Sequence, residues 1–137
     1  MTSDAELLAS KISYMKVQQV VHAFYKKLLI HPQLGKYFDP IDDFTTHEKR
    51  ITDFWWISIG GKLEHSPKID MIGKHFTLGI QADDLEIWLG LFSETLGEHL
   101  PEEQATQWLH KALQIAARIK QIVIDHKPMG IQIQDKP

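Results

Sequence analysis

The chain has 137 residues, 43% apolar and 24% charged, with a net charge of −3 when histidine is neutral. That is the size and composition of one globular domain, burying about two-thirds of its unfolded surface, and it excludes disordered and collagen-like chains. The absence of cysteine removes disulfides, thiolate metal sites and cysteine nucleophiles.

Almost every segment repeats at helical spacing, and none alternates at period two. Ser3 with Glu6 forms a capping-box pattern that opens a short helix through Leu7, Leu8 and Ile12. Val17, Val20, Val21, Phe24, Leu28 and Leu29 make one apolar stripe, stopped by His31-Pro32. Leu34 to Phe38 has room for a turn or two before Asp39-Pro40. Thr45 with Glu48 is a second capping-box pattern, and its helix carries Ile51, Phe54, Trp55 and Ile59 toward a stop at Gly60-Gly61. A loop from Lys62 to Pro67 precedes a short helix around Ile69 to Phe76, and Leu78-Gly79-Ile80 connects onward. Leu85, Trp88, Leu89, Phe92 and Leu96 form the next stripe. Pro101 fits the first helical position of a last helix that runs to about Ile124. Ala105, Trp108, Leu109, Ala112, Ile115, Ile119 and Ile122 face inward on it. The prediction is an all-α domain over residues 1–126 with six or seven helices, followed by a flexible polar tail over 127–137.

No run approaches the ~18 apolar residues of a membrane span, and the polar start has no signal-peptide core. A cytoplasmic protein is expected. No basic stretch of the kind that tracks nucleic-acid phosphates is present. Phosphate loops, nucleophile elbows and EF-hand patterns are absent. Glu94 and Glu98 are spaced i, i+4, but no inward histidine pair joins them to complete a di-iron site.

Eight histidines, as many as glycines, are the unusual count. His47 shares a helix face with Ile51 and Phe54. Spacing alone leaves it open between a boundary histidine with one edge in water and a pocket residue. His75 follows Lys68, Met71 and Ile72 on the apolar side of its short helix, where it reads either as a hydrogen-bonded core residue or as a metal ligand. Tyr25 and Trp88 each bring a polar atom to an apolar stripe, and their bland reading is core packing with a nearby acceptor.

Together, Phe24-Tyr25-Lys26-Lys27-Leu28-Leu29, Pro32 through Phe38, His47 followed by Phe54-Trp55, His75, and Trp88-Leu89-Gly90-Leu91-Phe92 resemble the truncated haemoglobins, most closely their group III branch. The pieces run in the family's order over residues 15 to 125. Two features depart from the group pattern. Leu78 to Gln81 has no proline after the proximal segment, and Gly60-Gly61 is similar to a glycine motif of the other groups.

The resemblance implies a truncated globin fold, a two-over-two helical sandwich around haem b. By matching position it implies His75 as the proximal iron ligand and Phe38 against the haem face. Tyr25, His47 and Trp88 would line the distal pocket with Ile51, and Arg50 would pair with a propionate. Phe24, Phe54, Trp55, Met71, Lys74 and Phe92 complete the implied haem-binding set. The implied ligands are O₂, NO, CO or peroxide. Several distal donors slow ligand release, which suits redox chemistry such as NO detoxification or peroxide reduction better than oxygen transport. Turnover then needs electrons from a separate reductase. A carrier or haem-based sensor without turnover is the alternative. A monomer or weak dimer is expected, with no nucleic-acid or membrane partner.

Overall fold

Five α-helices run through the described residues: α1 (Asp4–Lys11), α2 (Tyr14–Ile30), α3 (Phe44–Ser58), α4 (Ala82–His99) and α5 (Glu102–Ile119). A 3₁₀ turn (Gly35–Phe38) joins α2 to α3, and a π turn (Lys120–Ile124) extends α5. This computed structural model describes residues 4–65 and 78–125, with side chains from residue 8 onward. Ser3 of the first capping pattern, the predicted helix around Ile69 to Phe76 and the tail over 127–137 lie outside the described residues.

Ser13 Oγ accepts the Lys16 amide at 3.0 Å and so starts α2. Val17, Val20, Val21, Phe24 and Leu28 are buried, as their spacing predicts. Leu29 is not part of that stripe: it is 44% exposed, because the position after Leu28 turns about 100° away from the core. The second capping pattern is also displaced. Asp43 is the N-cap of α3, accepting from the Thr46 amide at 3.1 Å and the Thr46 hydroxyl at 2.5 Å, so the helix begins ahead of Thr45. The short carboxylate satisfies two donors at once, which outcompetes a threonine cap two residues on.

The α3 stop falls at the predicted glycines, and the two are needed for different reasons. Gly60 has φ of +104°, a conformation that side chains resist. At Gly61 a Cβ would stand 2.1 Å from the Trp56 indole. Pro101 takes the N-cap position of α5 rather than the predicted first helical position, which falls to Glu102. Ile122, predicted inward, is half-buried, and Val123 takes the core position. The Asp125 amide reaches back five residues to the Lys120 carbonyl (2.8 Å), and this wider turn rotates the face presented to the core.

Helices α2 and α3 pack as one layer and α4 and α5 as the other, with α2 against α4 joining them. Helix α1 packs on α5, and its Ala9 amide donates to the Ile59 carbonyl at the end of α3 (3.0 Å). Between the layers lies a block of rings. Phe92, fully buried, has its centroid 4.8 Å from Phe24, 5.1 Å from Trp88, 5.3 Å from Trp55 and 5.7 Å from Trp108.

Polar ties brace the layers from outside. Glu94 and Glu98 share one cation, with Lys27 Nζ at 2.8 and 2.9 Å across α2 and α4. Tyr14 donates to Asp53, whose other oxygen takes Lys49 Nζ at 2.9 Å. Burial and that carboxylate push the Tyr14 phenol up to about 12. No described helix is long and apolar enough to cross a membrane.

Candidate functional site

The two layers do not close completely. They leave a cavity of about 390 Å³, within the range of small-molecule and cofactor sites. α2 contributes Tyr25, and the 3₁₀ segment contributes Tyr37 and Phe38. α3 contributes His47, Ile51, Phe54 and Trp55, four positions on one helical face. Asp84, Leu85 and Trp88 come from α4, and Ile115, Ala116 and Ile119 from α5. The lining is predominantly aliphatic and aromatic.

Seven of the sequence-predicted site residues thus share one cavity: Tyr25, Phe38, His47, Ile51, Phe54, Trp55 and Trp88. Phe24 and Phe92 do not line it; they back Trp88, at 5.2 and 5.1 Å between centroids. Arg50 is exposed and contributes nothing to the described wall. His75, Met71 and Lys74 lie outside the described residues.

The polar focus is a contact between α2 and α3. Tyr25 Oη and His47 Nε2 are 3.0 Å apart. Phe38 and Phe44 pack edge-on against the Tyr25 ring at 5.5 and 5.4 Å, and Phe44 also holds the His47 ring at 5.4 Å. Burial, reinforced by the negative charge of Glu48, drives the Tyr25 pKa far above its ordinary value, so the phenol stays neutral and remains a donor. The contact runs either way. With the proton on His47 Nδ1, Tyr25 donates to Nε2. With it on Nε2, His47 donates and the Tyr25 hydroxyl proton is free for another acceptor. One turn away, His22 Nδ1 meets Glu48 Oε1 at 3.0 Å, a second tie between the same helices. Trp88 Nε1 has no hydrogen-bond partner among the described residues, so a second donor belongs to a ring that lines the cavity.

Sequence reasoning missed the buried carboxylate. Asp84, only 4% exposed, accepts from Tyr37 Oη (2.6 Å), Gln33 Nε2 (2.6 Å) and the Gln81 amide (2.8 Å). Burial alone would raise the Asp84 carboxyl, but these donors, with Lys36 nearby, outweigh it and hold the pKa below its usual value. The same bond, with burial, pushes Tyr37 up to about 12. Gln81 and Asp84 stand at the spacing of a helix cap, which local pattern could have flagged; Tyr37 and Gln33 are 47 and 51 residues away and carry no local signal. A carboxylate with a depressed pKa stabilises the fold above its unfolded pKa, and that contribution fades as pH falls through the folded value. Asp84→Asn is therefore expected to cost roughly 1–3 kcal/mol at pH 7. In urea melts the gap to wild type narrows below about pH 4; a gap constant to pH 3 would remove the charge from the account.

A two-layer helical sandwich that keeps an aromatic-walled cavity between its layers is the truncated globin fold. Its walls suit a flat, largely apolar cofactor, with neutral donors kept for a small polar ligand. The family model for bacterial-like globins matches residues 12–121, and the chain belongs to that family. The fold is similar to a group III truncated haemoglobin from Campylobacter jejuni, with a TM-score of 0.77 and 24% identity over 85% of this chain and 95% of that one. No match is found among curated proteins. Family membership makes this a haem-binding globin, a class whose ligands are small gases such as O₂.

Proposed function

We propose that the protein binds haem b and performs redox chemistry on a diatomic ligand or peroxide held against Tyr25, His47 and Trp88. NO detoxification and peroxide reduction are the reactions that fit, with electrons from a separate reductase. His75 is the proposed iron ligand, and Arg50, one turn from His47 at the exposed edge of α3, the proposed propionate partner. The observation that carries the reading is the 3.0 Å contact between Tyr25 and His47 in the wall of a predominantly apolar cavity.

Bound haem supplies an iron centre that takes such a ligand and exchanges single electrons. The chain's own residues do the rest. Ile51, Phe54, Trp55 and Leu85 exclude water, which strengthens every hydrogen bond made inside. The neutral Tyr25 phenol donates to a ligand that carries partial negative charge. His47 takes over as donor to the Tyr25 oxygen, so the hydroxyl proton turns toward the ligand without leaving an orphaned lone pair. Trp88 adds an indole donor that needs no change of tautomer.

The test is an absorption titration with hemin in ferric, dithionite-reduced and CO-bound forms, beside His75→Ala. A stoichiometric Soret band that shifts on reduction and again with CO, and is lost or strongly weakened in the variant, is expected. Absence of that band from the wild type would sink the reading. Consumption of NO or peroxide with a reductant supplied then separates turnover from mere carriage.

A further inference from the structure

The ring block does more geometrically than fill space. Trp88 and Trp55 line the cavity, and each lies nearly parallel to Phe92, at interplanar angles of 21° and 22°. Phe92 is therefore a stacked bridge between two cavity-facing indoles. Trp108 continues the series, 5.9 Å from Trp55 and 5.7 Å from Phe92, with no exposed surface. The indole nitrogen of Trp108 is buried with no hydrogen-bond partner among the described residues. Such an orphan is unfavourable, so packing alone does not account for a polar nitrogen at this position.

We propose that Trp88, Phe92, Trp55 and Trp108 form an electron relay that supplies electrons to an oxidant in the cavity and ends on Trp108. The relay rests on the haem reading above. The oxidant is hydrogen peroxide, whose reduction to two waters takes two electrons and two solvent protons. With no external donor present, bound haem would supply one electron and an indole ring supplies the other, becoming a radical cation. The missing electron passes from indole to indole, Trp88, Trp55 and Trp108 being oxidised and re-reduced in turn, while Phe92 bridges them without itself being oxidised. At Trp108 the indole keeps its Nε1 proton, because among the described residues no acceptor stands at that nitrogen. Oxidation there needs no proton transfer and reverses when an external reductant returns the electron. Tyr25 differs: its phenol must pass a proton to His47 each time it is oxidised. The relay thus draws oxidising equivalents away from the ligand-binding donors.

Burial gives the discriminating experiment. Peroxide attacking from solvent meets Met15, 65% exposed, and half-buried Trp56 before Trp108. Haem-loaded protein, its Soret band confirmed first, is mixed with one equivalent of H₂O₂ without reductant and frozen for electron paramagnetic resonance. Labelling with ring-deuterated tryptophan is expected to narrow the radical signal, and ring-deuterated tyrosine to leave it unchanged. Trp108→Phe is expected to keep the Soret band and CO shift while the indole signal falls; Trp56→Phe leaves it intact. Phe92→Leu, which keeps an apolar filler but removes the bridging ring, weakens it too and serves if Trp108→Phe fails to fold. A signal narrowed by deuterated tyrosine and lost in Tyr25→Phe, or an indole signal lost only in Trp56→Phe, overturns the relay while leaving haem binding in place. No Soret band fails the haem reading itself.

Discussion

Tyr25→Phe is expected to speed O₂ dissociation roughly tenfold to a hundredfold, while CO dissociation changes little. The arithmetic rests on one charge-assisted hydrogen bond, about 1.5–3 kcal/mol, lost from a ligand with anionic character in a water-poor cavity. CO carries little such charge and so loses little. The phenol is the donor because burial and Glu48 keep it protonated. Stopped-flow displacement of O₂ by CO reads the effect directly. His47→Leu and the double variant complete a mutant cycle, in which a coupling energy clearly different from zero is expected for side chains 3.0 Å apart. An unchanged O₂ off-rate in Tyr25→Phe would remove the phenol from the role.

The largest stability effect belongs to Phe92→Ala. This ring has no exposed surface and packs against four aromatic residues from α2, α3, α4 and α5. Truncating such a side chain costs about 3–5 kcal/mol, made of lost transfer energy and the cavity left behind. For a domain of this size that lowers Tm by roughly 10–20 °C. Differential scanning calorimetry of the apo protein measures it without interference from cofactor. A drop of only a degree or two would mean that the surrounding tryptophans collapse into the gap.

The fold was largely legible because its helices are amphipathic, and amphipathic spacing is a local signal. The stripe from Val17 to Leu28 and that from Phe92 to Leu96 were readable without any partner in view. Errors came where local geometry had a competitor. Asp43 captured the start of α3 from Thr45 because a carboxylate serves the amide and the hydroxyl of Thr46 together. Ile122 yielded to Val123 because a π turn, which no periodicity announces, rotated the helix face. The cavity residues Tyr25, His47 and Trp88 were visible as polar atoms on apolar faces, yet spacing did not say that they share one space. Asp84 stayed hidden because its donors come from another part of the chain.

The ring block and the cavity wall differ in how far this chain's own atoms cover them. Val17, Val20, Leu28, Phe92 and Trp108 are fully buried by protein atoms alone, while Ile51, Phe54 and Trp88 facing the cavity are half-buried. The described core is therefore held by contacts between this chain's own side chains, whereas the cavity wall keeps apolar surface that a guest can cover. Binding there is expected to raise Tm with guest concentration, and to do so without repacking the ring block.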